Sequence, residues 1–120
     1  MKLGYLVLAS ERRIIAVKAD DNEDIHEASG STVIEHGTTF ATDDQLLITG
    51  EEVHGMPADW FWVHGVPFPF SGNAVLIGVS QLDGNTLEHP VMTIDEFRAL
   101  ITFASRAEVI RAMSKRAGHE

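Results

Sequence analysis

Six histidines and eighteen carboxylates are the side chains with which this 120-residue chain could do chemistry. Metal centres usually show close pairs, two His one helical turn apart or at alternate positions of a strand. Here the nearest histidines, His26 and His36 or His54 and His64, are ten residues apart. His54 and His64 could meet Glu52 and Asp59 across the Gly50–Asp59 segment, but no spacing requires it. Each histidine is therefore read as a structural or surface residue. The absence of cysteine removes a thiolate site, a disulfide scaffold and a Cys nucleophile together. Ser71 stands between Phe70 and Gly72 without the second glycine of a nucleophile elbow, and no glycine-rich phosphate loop with its lysine is present. The paired acids Asp43-Asp44 and Glu51-Glu52 are sequence neighbours, which a strand would send to opposite faces. The expectation is a protein that is no enzyme and holds neither metal nor cofactor. An enzyme assembled from scattered His and acids stays as an alternative.

The acids are informative through their placement. Between Lys18 and Arg98 lie 79 residues without one Lys or Arg, and that stretch carries fifteen of the acids. All nine bases sit outside it, at the two ends of the sequence, in a chain of net charge −9. Such a block describes an electric field, which either keeps a surface solvated or meets a cationic partner. The densest acids of expected loops, Asp20, Asp21, Glu23, Asp24, Asp43, Asp44, Glu51 and Glu52, are the candidate partner-binding residues. Direct binding of nucleic acid by this stretch is not expected, because phosphate contacts come chiefly from Lys and Arg.

Five of the nine aromatic residues fall within Trp60–Phe70. Alternation along a strand would put Trp60 and Trp62 on one face and Phe61 and Val63 on the other. Both faces are then apolar. One belongs to the core, and the other needs cover by the C-terminal helices, a partner or a second copy of the chain. Trp60, Trp62, Phe68 and Phe70 are the candidate aromatic interface or pocket.

These residues need a scaffold, and 44% apolar with 22% charged residues is the composition of an ordinary globular domain. One domain spanning residues 1–120 is expected. Lys2–Ala9 and Arg12–Ala19 read as a β-hairpin around Ser10-Glu11. Asp20–Gly30 reads as a loop or one short helix closed by Gly30. Ser31–His36, Gln45–Thr49 and Trp60–His64 read as strands, with a turn at Thr42-Asp43-Asp44 and a loop over Gly50–Asp59. Pro67 and Pro69 end the aromatic strand. Asn73–Ser80, nearly all apolar, reads as a central strand, followed by a turn at Asp83-Gly84-Asn85. Thr93-Ile94-Asp95-Glu96 and Ser105-Arg106-Ala107-Glu108 are capping boxes. Ile94, Phe97, Leu100, Ile101 and Ala104 fall at helical spacing behind the first, and Val109, Ile110 and Met113 behind the second, which Gly118 would close. The fold class is α+β: a mainly antiparallel sheet of five to six strands with two C-terminal helices.

Gly55-Met56-Pro57-Ala58-Asp59 followed by Phe70-Ser71-Gly72-Asn73-Ala74-Val75-Leu76-Ile77-Gly78 resembles a family of small phage- and plasmid-borne proteins. That family shows a Gly-Leu-Pro-x-Asn segment before a Gly-Asn-Ala-Val strand block. Met56 and Asp59 depart from its pattern. The resemblance implies a mobile-element setting, in which small accessory proteins bind host components, and it brings no catalytic residues.

The reading that joins these observations is a non-enzymatic acidic protein that inhibits a cationic, nucleic-acid-handling partner, in the manner of an anti-defence inhibitor or an immunity protein. An oligomer, such as a homodimer, that sequesters a small molecule of the nucleotide-messenger kind is the alternative. Met1–Ala9 is short, charged Glu11, Arg12 and Arg13 follow it at once, and no run approaches a membrane span, so a cytoplasmic location without membrane contact is expected.

Overall fold

The computed structural model describes residues 1–49, 57–84 and 86–117, the last two of these in backbone alone. The expected hairpin is formed by β1 (Leu3–Leu8) and β2 (Arg13–Lys18), joined by a single 3-10 turn over Ala9–Glu11. Arg12 closes that turn in the left-handed region, at φ 52°. The acidic segment becomes α1 (Asn22–Ser29). Asp21 caps it by accepting from the Asp24 amide, and Gly30 ends it at φ 74°, a conformation glycine adopts without Cβ strain.

Strands β3 (Ile34–Thr39) and β4 (Gln45–Thr49) pair antiparallel, with the register shifted between His36 and Thr38. The aromatic run is β5 (Asp59–Val63), followed by the two-residue β6 (Phe70–Ser71). The apolar run is β7 (Ala74–Val79), returning on itself through β8 (Leu87–Glu88). Gly78 is required there, because a Cβ would strike the carbonyl of His89. The expected Gly50–Asp59 loop and the Asn85 and Gly118 positions fall wholly or partly outside the described residues.

The large sheet, sheet A, has the order β2-β1-β7-β4-β3, with β8 against β7, and all its pairs are antiparallel. Strand β7 is central, and five of its six residues are buried. The fold is thus α+β with two helices at its C-terminal end, as composition and patterning indicate.

The expected helix over residues 94–104 does not form as one element. It is α2 (Ile94–Ala99), six residues behind the Thr93–Glu96 capping box, and then β9 (Ile101–Ser105). The same apolar positions satisfy both periods. Beyond Leu100, pairing with β5 wins, since it sets Ile101 opposite Val63 and Phe103 opposite Phe61. A second sheet, β6-β5-β9, results. The Ser105–Glu108 capping box then opens α3 (Arg106–Ala117), with the Ser105 hydroxyl and the Glu108 carboxylate each accepting the other residue's amide.

Two cores follow from the two faces of sheet A. Val7, Ile14, Leu46, Ala74 and Leu76 pack against Phe61, Val63 and Phe70 of the small sheet and against Phe97 of α2. On the reverse face Leu6, Val75 and Ile77 pack against Ile25 of α1. The outer face of the small sheet carries Trp60, Trp62 and Ala104. Ala104 and Val109 of α3 are buried there outside both cores, so α3 covers this face.

Candidate functional site: an acidic end and a hydroxyl-lined cleft

Strand registers decide where the acids lie. Leu3 pairs with Lys18, Gln45 with Ile77, Gly78 with Glu88, and Thr39 with Gln45. The start of β1, the end of β2, the start of β4 and the end of β7 therefore share one end of sheet A. Acids far apart in sequence meet at this end: Asp20, Asp21, Glu23 and Asp24 around the start of α1, Asp43 before β4, and Asp83 and Glu88 beside β7. From β2 to β4 is three strand spacings, roughly 15 Å. The described cations among them are Lys2, 4.0 Å from Glu88, and Lys18, 3.8 and 3.9 Å from Asp20 and Asp24. Seven carboxylates thus stand against two lysines and the N-terminus, which lies near Asp20.

Local bonds hold several of these acids in place. Asp24 accepts the Asp20 amide at 2.9 Å, and Asp20 accepts the Lys2 amide. That backbone bond, ahead of the nearby N-terminus, Lys18 and Lys2, holds the Asp20 carboxyl below its usual range. Gln81 donates to Asp43 at 3.1 Å and ties the β7–β8 hairpin to the β3–β4 turn. Asp43 itself sits at φ 70°.

Asp44 leaves the candidate set. It is 1% exposed and accepts from the amides of Val91 and Met92, at 2.8 and 2.9 Å, and from the Thr42 hydroxyl at 2.8 Å. Its neighbours in space are structural donors, so no partner reaches it. Glu51 and Glu52, and with them His54, lie outside the described residues. Asp20, Asp21, Glu23, Asp24 and Asp43 remain, and the fold brings Asp83 and Glu88 to them. Sequence reasoning passed over these two because each stands alone in the chain.

The aromatic candidates divide. Phe70 is 5% exposed and packs on Phe61 with ring centroids 5.7 Å apart, so it belongs to the core rather than to an interface. Trp60 and Trp62 are half-buried on the face that α3 covers, and the Trp60 indole donates to the Pro57 carbonyl at 2.7 Å. Phe68 is exposed and meets Phe70 edge-on at 5.5 Å.

At the opposite end of sheet A a cleft of about 450 Å³ opens among Ser10, Ser29, Gly30, Ser31, Thr49, Pro57, Ala58, Asp59, Ser71, Gly72 and Asn73. Pro57–Asp59 and Ser71–Asn73 meet here. Asn73 donates to the Ser29 carbonyl at 3.3 Å and joins β7 to the end of α1. Its described lining offers hydroxyls, an amide and one carboxylate, a set suited to hydrogen-bonding a hydroxyl- or amine-bearing ligand and not to holding an anion. Among the described residues no three His, Asp or Glu side chains are grouped so as to hold a metal ion, and no helix is long and apolar enough to cross a membrane.

No protein-family model, curated protein or solved structure matches this chain.

Proposed function

We propose that this protein is a non-enzymatic binding protein whose acidic end docks on a cationic, nucleic-acid-handling protein and inhibits it by occupying the surface that nucleic acid would use. The observation that carries the reading is the convergence, through sheet topology, of acids from separate segments onto one end where the described cations are the N-terminus, Lys2 and Lys18. A fixed field of one sign accelerates encounter with a surface of the other sign and makes it salt-sensitive. The resemblance to phage- and plasmid-borne proteins supplies the setting, that of an anti-defence inhibitor. Part of the acidity has a simpler use, since Asp21, Glu23 and Asp24 suit the N-terminal dipole of α1. Asp43, Asp83 and Glu88 have no such helix to serve.

The test is capture of partners from bacterial lysate across a salt series, followed by kinetics on the captured protein. In a variant carrying Glu23→Lys with Asp43→Asn, the association rate should fall about tenfold or more at low salt and approach that of the unaltered protein at high salt. Asn is chosen at position 43 because it tolerates the left-handed backbone. Equal association rates at low salt would remove the acidic end from the interaction.

A second reading, sequestration of a small molecule, is supported by the hydroxyl-lined cleft. Saturable binding of a small ligand whose contacts map to Ser31, Thr49, Asp59 and Asn73, with no protein partner retained at any salt, would put it first.

A further inference from the structure

Three of the nine bases, from the two ends of the sequence, are brought together by the fold at one place. Arg12 of the β1–β2 connection, Arg13 at the start of β2 and Arg98 of α2 line a cavity of about 270 Å³ whose remaining lining is Ile14 and Phe103. Ile14 is buried in the core, and Phe103 is partly buried against the same core. The cavity is therefore an apolar floor, one face of it aromatic, with three guanidinium groups around it.

Each guanidinium has a carboxylate nearby: Glu108 is 3.6 Å from Arg12, Glu11 is 3.2 Å from Arg13 and Asp95 is 3.1 Å from Arg98. None of these three acids lines the cavity. The pairs join side chains about half exposed to water, and such pairs typically hold by only about 0–1 kcal/mol. Each guanidinium has five N–H donors, so the observed contacts leave several on every arginine. Arg98 is further fixed by donating to the Ile14 carbonyl at 2.7 Å, a bond across 84 residues. Its position is set before any ligand arrives.

Arg12 is held by its turn. At φ 52° it occupies a turn position that glycine or asparagine would fill with less strain.

We propose that this cavity binds a small phosphate monoester bearing a planar ring, of the nucleoside monophosphate type. Three guanidiniums match the three terminal oxygens and double charge of a phosphate better than a single carboxylate, since each planar fork can donate two parallel hydrogen bonds. Phe103 supplies the face on which the ring lies. The cavity size admits one ring and one phosphate, below the usual range for drug-sized ligands. This site is separate from the acidic end, and its test is independent of the docking reading.

The experiment is a ¹⁵N-amide NMR titration of the whole chain at physiological ionic strength with adenosine 5′-monophosphate, adenosine and inorganic phosphate. The nucleotide should shift the amides of Arg12, Arg13, Ile14 and Phe103 saturably, with adenosine and inorganic phosphate each weaker by about tenfold or more, as expected when phosphate and ring both contribute. The double variant Arg12→Gly with Arg13→Ala should bind the nucleotide at least about tenfold more weakly while remaining folded, because glycine suits the left-handed position. Phe103→Leu should reduce the advantage of the nucleotide over inorganic phosphate. Shifts that do not saturate, shifts confined to other amides, or a double variant that binds like the unaltered chain would each overturn the site. Inorganic phosphate binding as tightly as the nucleotide would overturn the role of the ring.

Discussion

Each end of sheet A carries a polar side chain that reaches distant backbone, Asp44 at the acidic end and Asn73 at the cleft. Asp44 is buried, accepts three hydrogen bonds at 2.8–2.9 Å and clamps the Val91–Met92 segment to the β3–β4 turn. Asn73 is half-buried and makes one bond at 3.3 Å to Ser29. Charged acceptors form shorter and stronger bonds than neutral ones, and burial raises the penalty for losing them. Of these two ties, the charged and buried one at the acidic end is the stronger, and the neutral one at the cleft is the weaker. A surface that acts through charge gains from fixed positions; a cleft that admits a ligand can tolerate looser walls.

Removing the clamp is the sharpest way to break this contrast. Asp44→Ala should cost about 2–4 kcal/mol, because it strands the buried Met92 amide and the partly buried Val91 amide. Adjacent Asp43→Asn should stay within about 0.5 kcal/mol, as an exposed change compatible with its backbone. Chemical denaturation of the two variants measures both values, and similar losses would refute the division of labour between these neighbours.

A smaller effect is expected at the other end. Asn73→Ala should cost about 1 kcal/mol, the typical net worth of one neutral hydrogen bond. Amide exchange should show the loss localised to the end of α1, without loosening at Asp44. A loss equal to that of Asp44→Ala would mean that the two ends are fastened alike.

The smallest effect concerns pH. The Glu96 and Glu108 carboxyls lie below their usual range, chiefly through the amides of Thr93 and Ser105, and Asp20 does so through the amide of Lys2. A carboxyl whose folded value is lowered contributes stability above its unfolded value and loses it as pH falls through the folded one. Stability should therefore hold from neutral pH to the ordinary carboxylate range and decline below about pH 4. Glu96→Gln and Glu108→Gln should each flatten that decline slightly. Denaturation midpoints across an acid series test the sign, and a midpoint that rises on acidification in this window would refute it.

Local chemistry made much of the architecture legible. The hairpin, α1 between Asp21 and Gly30, the central β7 and both capping boxes follow from nearby residues. The residues after Leu100 were ambiguous because Ile101, Phe103 and Ala104 suit a helix face as well as a pleated strand, and only the partner strand β5 decides between them. Asp44 could not be told from Asp43 by sequence, since its burial depends on amides 47 and 48 positions away. The acidic stretch announced its sign but not its shape, and the gathering of Asp83 and Glu88 with α1 depends on strand registers. The meeting of Arg98 with Arg12 and Arg13 joins the two ends of the sequence, where no local signal exists.

The bond from Arg98 to the Ile14 carbonyl has a meaning for the molecule in a crowded solution. Strand β2 is an outer strand of the large sheet, and an outer strand offers unpaired backbone groups to any passing chain. One of those groups is already occupied by a guanidinium, α2 leans on the same strand, and Arg13 and Lys18 stand at its ends. The opposite outer strand, β3, is irregular between His36 and Thr38, which spoils the straight ladder that an incoming strand would need. Sheet A is thus guarded at both margins against edge-to-edge growth.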